Sequence, residues 1–127
     1  NEYYPLRSDI IEDYNNNGLY VVKEEESVIA ALSVVKDTEF DDFNWMVKEN
    51  ICEISRVVVS LEYQNKKVGS FMINEIIKQL KNKYKSIHLA VEVNNIPAIK
   101  LYNKFNFEYI DKTYMYEHYY YLYEKKL

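Results

Sequence analysis

A mixed α/β fold is the class this sequence predicts, and three observations predict it. Residues 51–105 alternate strand, helix, strand, helix, the order of units whose central strands lie parallel. An apolar stripe recurs every fourth residue at Val68, Met72, Ile76 and Leu80, with Ile73 and Ile77 beside it, as on a helix facing a sheet. Tyrosine-rich and β-branched runs bracket this unit and read as further antiparallel strands.

Taken in order, Asp9-Ile10-Ile11-Glu12 has the spacing of a capping box and predicts a short helix ending near Asn17-Gly18. Leu19 to Lys23 is a strand. Glu24-Glu25-Glu26 is a charged, solvated hairpin turn, and Ser27 to Val35 is the returning strand. Its run Val28-Ile29-Ala30-Ala31-Leu32 suits burial on both faces. Lys36 to Glu49 is acidic and irregular, with Phe40, Phe43 and Trp45 as anchors. A loop of that length is often functional, but it also fits a plain insertion pinned by Trp45.

Ile51 to Val59 is the next strand, followed by the striped helix, whose outer face carries Asn74, Lys78 and Lys81. Ser86 to Val93 is a strand. Asn95 to Phe105 is a helix capped by Asn95, with Pro97 in its first turn, where a missing N–H costs little. Asn106 suits the position just past that helix. Phe107 to Met115 and Tyr119 to Lys125 form a terminal antiparallel pair. A right-handed crossover should join the two central strands.

Composition narrows the function classes. With 127 residues, 48% of them hydrophobic and 28% charged, the chain reads as one globular domain, 1–127. No apolar run approaches the ~18 residues that span a membrane, and no signal peptide is visible. Cys52 is alone, which excludes an internal disulfide and fits a reducing cytoplasm. A net charge of −4 argues against a general nucleic-acid binder. Glycine and proline number two each, so turns must lean on Asn, Asp and Ser. Tyr114, Tyr116, Tyr119, Tyr120, Tyr121 and Tyr123 suit a half-buried sheet better than an aromatic ligand box. The last strand could pair across a homodimer. His88 and His118 have no carboxylate or cysteine at ligand spacing and read as no metal site.

Two stretches carry chemistry. Val57-Val58-Val59-Ser60-Leu61-Glu62-Tyr63-Gln64-Asn65-Lys66-Lys67-Val68-Gly69-Ser70 runs from a strand into a cationic turn at a helix start. Open backbone N–H groups and the helix dipole make such a turn an anion site. Lys66, Lys67, Val68, Gly69 and Ser70 supply amides, Ser70 a hydroxyl, the lysines charge, and Gln64 ties the turn. Gly69, lacking Cβ, permits close approach of a ligand. Leu89-Ala90-Val91-Glu92-Val93-Asn94-Asn95-Ile96-Pro97-Ala98-Ile99-Lys100-Leu101-Tyr102 runs from a strand through an Asn cap to a tyrosine two turns into its helix. A basic helix start without a ligand and a core aromatic are the plain readings of these stretches.

In order and separation the two stretches resemble the motifs of the GNAT superfamily of acyl-CoA N-acetyltransferases. The cofactor loop is matched by Gln64-Asn65-Lys66-Lys67-Val68-Gly69, with Lys67 in place of the first motif glycine. The second motif is matched by Asn95, Ala98-Ile99 and Leu101-Tyr102, followed by Lys104-Phe105-Asn106-Phe107 with Asn106 for glycine. The resemblance covers Leu19 to the C-terminus. It implies a central sheet with two splayed parallel strands flanked by helices, and a further strand and helix ahead of Asn1.

The resemblance also implies acetyl-CoA as co-substrate and direct attack by a primary amine, small molecule or peptide. It implies cofactor contacts at Val57, Val58, Val59, the turn, Asn95 and Tyr102. The oxyanion would meet a backbone N–H of Val57–Val59, and Tyr102 would be the acid that protonates the leaving thiolate. Glu53 matches by position the strand glutamate that some members use as base. Simple alternation puts Glu53, Ser55, Val57 and Val59 on one face, where apolar company would raise a carboxyl pKa. An ordinary ion pair is the plain reading of Glu53. Ribosomal-protein alanine acetyltransferases place their base where this chain has Ala90, with Glu92 two residues off, and a base-free route through water stays open. The acidic run Asp37-Thr38-Glu39-Phe40-Asp41-Asp42 could attract a cationic amine or be solvated surface. Two other classes stay open: a catalytically silent CoA sensor or protein-binding module on the same fold, and an interaction domain that binds no nucleotide.

Overall fold

The computed structural model describes residues 11–14, 18–36, 40 and 42–127. Among the described residues, seven strands form one sheet: β1 (Ile11–Tyr14), β2 (Leu19–Glu24), β3 (Ser27–Val35), β4 (Ile51–Val59), β5 (Ser86–Glu92), β6 (Glu108–Met115) and β7 (His118–Lys126). Their spatial order is β1-β2-β3-β4-β5-β7-β6. Helix α1 (Val68–Leu80) connects β4 to β5, and α2 (Ile96–Lys104) leads from β5 to the terminal hairpin. The chain is therefore mixed α/β, with β4 and β5 as its parallel pair.

The stripe on α1 packs as its spacing requires. Val68, Met72, Ile73, Ile76 and Leu80 are at most 1% exposed and meet Ile54, Ile87, Leu89 and Val91 of the sheet. Each such side chain contributes roughly 1.5–3 kcal/mol on burial. Asn95 caps α2 by accepting the Ala98 N–H at 3.3 Å. Helix α2 ends with Asn106 at φ 65°, while the Phe107 N–H donates to Tyr102 O at 3.0 Å and the Asn106 N–H to Asn103 O at 3.1 Å. An asparagine tolerates that left-handed residue better than most side chains do.

Two expectations fail, both through pairing between strands. Residues 11–14 form a strand where the capping-box pattern predicts a helix. Their backbone pairs antiparallel with Leu19–Val22, so sheet partners outcompete one short local helix. Asp9 and Ile10 lie outside the described residues. Gly18, at φ +79°, makes the hairpin possible, and an added Cβ would stand 2.2 Å from Val34 O. The second failure is the alternation along β4. Ser33 pairs with Ser55 but Ala31 with Val58, so β4 carries one extra residue, and Arg56 sits there at φ 54°. This bulge reverses the facing of the later β4 residues. Cys52 and Ile54 face the helix side, and so do Val57 and Val59, while Glu53 faces the other side.

On β3 only part of the apolar run is buried on both faces: Val28 is 54% exposed, whereas Leu32 is fully covered. The face away from the helices is covered near its centre by Phe40 and Trp45, which pack with Leu122. The indole N–H of Trp45 donates to Phe40 O. Of the acidic run, residues 37–39 and 41 lie outside the described residues, and Asp42 is exposed. The terminal tyrosines behave as half-buried strand aromatics: Tyr121 and Tyr123 pack against the core, and Tyr109, Tyr114 and Tyr119 remain exposed.

Candidate active site

β4 and β5 part company early. Their ladder has three pairs, Ile51–Ser86, Cys52–Ile87 and Glu53–His88, although β4 runs on to Val59 and β5 to Glu92. Beyond Glu53, β4 keeps β3 as its neighbour and turns its other edge to a gap. The splay implied by the resemblance is therefore present. At the carboxyl ends of the parted strands lie the starts of α1 and α2, the location where open α/β sheets receive ligands.

The turn between β4 and α1 is held from below. Gln64 Nε2 donates to Val59 O at 3.0 Å, and the Tyr63 hydroxyl donates to the Glu24 carboxylate. Lys67, the N-cap of α1, makes no side-chain cap bond. Its carbonyl accepts the Phe71 N–H at 3.0 Å. The amides of Val68, Gly69 and Ser70 are thus the open first-turn donors of the helix, at its positive end. Lys66 and Lys67 are exposed beside them.

The departure from the family loop has a cost in this structure. Lys67 lies at φ 67° and ψ 14°, the left-handed region that a glycine would occupy without penalty. A non-glycine residue there costs on the order of 1–3 kcal/mol. Gly69 shows the opposite. Its φ is ordinary, and an added Cβ would reach only Leu101 Cδ2, at 3.5 Å. The fold does not demand glycine at position 69.

The spacing gave no sign of one contributor. Lys104 Nζ donates to Ser70 Oγ at 3.0 Å and brings a third cation to the turn from the last turn of α2. Only the packing of α2 across α1 puts the two together. Tyr102 is 5% exposed, with its ring 5.5 Å from that of Phe107. Burial pushes its phenol up to about 12, so the hydroxyl keeps its proton at neutral pH.

Val57 and Val59 are half-buried on the helix side, and Val58 is exposed on the other. Glu53 is 7% exposed and occupies the last rung before the gap, facing away from the helices. Asn95 is engaged as the cap of α2, which orders the start of the helix bearing Tyr102. Glu92, the alternative carboxylate, lies at the end of β5 and pairs with His118 Nδ1 at 3.1 Å.

A second polar cluster leaves no trace in the linear pattern, because its members lie far apart in the chain. Glu124 is fully buried and accepts the Ser86 hydroxyl at 2.6 Å, the Met46 N–H at 2.7 Å and the Val47 N–H at 3.0 Å. His88 Nε2 stands 3.2 Å from Glu124 Oε2 and 3.0 Å from Val47 O, and its ring stacks on Trp45 at 3.8 Å. Burial lowers the His88 pKa, and the charge of Glu124 partly opposes that.

The comparisons with known proteins agree with this geometry. The profile of the acetyltransferase (GNAT) family matches residues 1–107. The chain is 34% identical over 73 residues to the spermine/spermidine N(1)-acetyltransferase of Bacillus subtilis (strain 168), covering 56% of this chain and 46% of that protein. It is 39% identical over 54 residues to the N-alpha-acetyltransferase of Saccharolobus solfataricus, covering 41% of this chain and 32% of that one. The chain thus spans less than half the length of these curated relatives. An N-acetyltransferase structure from Staphylococcus aureus Mu50 superposes with a TM-score of 0.71 at 21% identity, over 90% of this chain and 70% of that one. The structure of yncA from Salmonella typhimurium with its cofactor acetyl-CoA superposes with a TM-score of 0.70 at 17% identity, over 86% and 64%. Sequence motifs, parted strands and family profile converge, and the chain belongs to the acetyltransferase (GNAT) family.

Proposed function

We propose that the chain is an N-acetyltransferase that moves an acetyl group from acetyl-CoA to a primary amine, with polyamines as the acceptor class. The observation that carries this reading is the three-pair ladder between β4 and β5. It opens a gap whose two rims lead into the open N-terminus of α1 and into the helix of Tyr102. Acetyl-CoA supplies an activated thioester, and the residues of the chain bind and aim it.

In this reading the amides of Val68, Gly69 and Ser70 take the diphosphate, helped by Lys66, Lys67, Lys104 and the Ser70 hydroxyl. Gln64 keeps the turn in place. The free edge of β4 at Val57, Val58 and Val59 offers backbone groups to the pantetheine arm and an N–H to the developing oxyanion. Asn95 orders the start of α2. Glu53, facing the gap from the side away from the helices, accepts the proton that the amine must lose before attack.

Tyr102 then has a narrower role than full acid. A phenol near 12 cannot readily hand its proton to a thiolate of pKa ~8.5. Its O–H instead donates a hydrogen bond to the departing sulfur, with the proton following from solvent. A charged acceptor makes such a bond worth roughly 1.5–3 kcal/mol. Tyr102→Phe should therefore lower kcat about 10- to 100-fold with little change in acetyl-CoA affinity. Stopped-time assays and calorimetry measure both, and an unchanged kcat removes Tyr102 from the reaction.

The polyamine preference rests on the named Bacillus relative and on the net charge of −4, which suits a polycation. A lone, buried Cys52 suits a reducing cytoplasm. Turnover of acetyl-CoA with spermine, set against a peptide bearing a free N-terminus, tests the acceptor. Calorimetry should give an acetyl-CoA Kd in about the micromolar range. Absence of CoA binding by folded protein would refute the proposal.

A further inference from the structure

The strain at Lys67 needs something to hold it. Residues in sparsely populated backbone regions persist only where their surroundings over-determine them. The turn into α1 has two, Asn65 at φ 64° and Lys67 at φ 67°. Asparagine tolerates the left-handed region. Lysine has a Cβ that glycine lacks, and here it makes no side-chain cap bond in return.

Both ends of the strained stretch are fixed. At its far end Val68 is 1% exposed and sits in the helix-side core. At its near end a single 3₁₀ turn, Leu61–Tyr63, lays the half-buried Tyr63 ring against the same core. Only residues 64–67 connect the two. The Gln64 side chain closes on Val59 O, five residues back, which sets the shape of the turn but not its place on the molecule. The Tyr63 hydroxyl reaches outside the loop, to the Glu24 carboxylate 39 residues earlier. Glu24 is the last residue of β2 and pairs with Ser27 at the closed end of the β2–β3 hairpin. The acceptor therefore stands on the sheet itself, and a charged acceptor makes the bond one of the stronger kind. The chain thus has lysine where the family loop has glycine, and a tie from β2 to the same turn.

We propose that Glu24 is a positioning residue for acetyl-CoA binding: through the Tyr63 hydroxyl it holds the β4–α1 turn in the left-handed path that Lys67 resists. Lys66, Lys67 and the open amides of Val68, Gly69 and Ser70 are then in place before the diphosphate arrives. This rests on the reading of that turn as the diphosphate site. With the tie cut, Lys67 relaxes toward negative φ, the chain enters α1 along another path, and the ordered fraction of the turn falls. Apparent affinity falls in proportion to that fraction. The groups at the thioester are untouched.

Calorimetry with acetyl-CoA tests the proposal, together with turnover of acetyl-CoA and of acetyl-pantetheine, which carries the thioester but no diphosphate. Tyr63→Phe keeps the packed ring and removes the bond. It should raise the acetyl-CoA Kd about tenfold, the lower end of what a hydrogen bond to a charged group is worth. Turnover at saturation should stay unchanged. Glu24→Gln keeps a neutral acceptor and should give a smaller rise. Neither change should alter kcat/KM for acetyl-pantetheine. In a Lys67→Gly background, where the strain is gone, adding Tyr63→Phe should leave Kd nearly where the background put it. A wild-type Kd in both Tyr63→Phe and Glu24→Gln overturns the proposal. So does an equal loss with acetyl-pantetheine, which would mark the pair as a support of the fold. A tenfold loss that persists in the Lys67→Gly background overturns the link to strain. Wild type that uses acetyl-pantetheine as well as acetyl-CoA would refute the diphosphate reading. Wild type that prefers acetyl-CoA, with variants that match it, would refute the positioning alone.

Discussion

Gly69 and Lys67 stand two residues apart, and each departs from what the fold alone would choose. Position 69 has room for a methyl group, with Leu101 Cδ2 at ordinary contact distance. Gly69→Ala should therefore leave the thermal midpoint unchanged or slightly raised, since alanine is the better helix residue by about 1 kcal/mol. The same variant should weaken acetyl-CoA binding tenfold or more, measured by calorimetry. Unchanged affinity would mean that no ligand approaches the backbone there. Position 67 carries the strain of a lysine in the left-handed region. Lys67→Gly should stabilise the protein by about 1 kcal/mol, visible as a midpoint a few degrees higher. The turn and its departure from the glycine pattern are legible in the sequence, because both are local. The meeting of Lys104 with Ser70 is not, because it depends on how two helices cross.

The irregular segment between β3 and β4 is the clearest case at the scale of an element. Its sequence marks Phe40 and Trp45 as anchors, and both are buried. What fastens its far end is Glu124, whose carboxylate takes the amides of Met46 and Val47 from 78 and 77 residues away. No pattern along the chain marks a glutamate in an outward-reading strand as a buried acceptor. Glu124→Ala should cost roughly 3 kcal/mol or more in urea unfolding, because several buried donors lose their acceptor at once. Glu124→Gln, which keeps an acceptor, should cost less. Equal stability of wild type and Glu124→Ala would show that the segment is held by its aromatic anchors alone. The β4 bulge is equally illegible: ICEISRVVV reads as unbroken alternation, and only its pairing with β3 exposes the extra residue at Arg56. That one residue separates the face of Glu53 from that of Val57 and Val59. The short helix expected at 9–17 fails for a related reason, since a neighbouring strand satisfies the backbone of 11–14 better.

Across the whole molecule, the alternation of strand and helix over residues 51–105 is legible because its elements have a strong period and α2 carries the Asn95 cap. The sheet order is not, because β7 inserts between β5 and β6, and the sequence holds no record of such long-range choices. Stability should also depend on pH through His88. Its folded pKa is lowered below the ordinary value near 6.5, mainly by burial. The unfolded chain then binds more protons than the folded one in this window, so stability is present above about pH 6.5 and is lost as pH falls below it. The slope should approach 1.4 kcal/mol per pH unit from this group. Urea unfolding at pH 7.5 and about pH 5.5, with His88→Gln as control, measures it; a slope that is the same in the variant would assign the loss to other groups.

The three-pair ladder at Glu53–His88 gives the sheet two wings, β1 to β4 on one side and β5, β7 and β6 on the other, fastened at one end like a clothes peg. A linear amide-bearing arm laid between the jaws would act as an eighth strand and complete the missing rungs. Occupancy would then be read out as stiffness of the entire sheet.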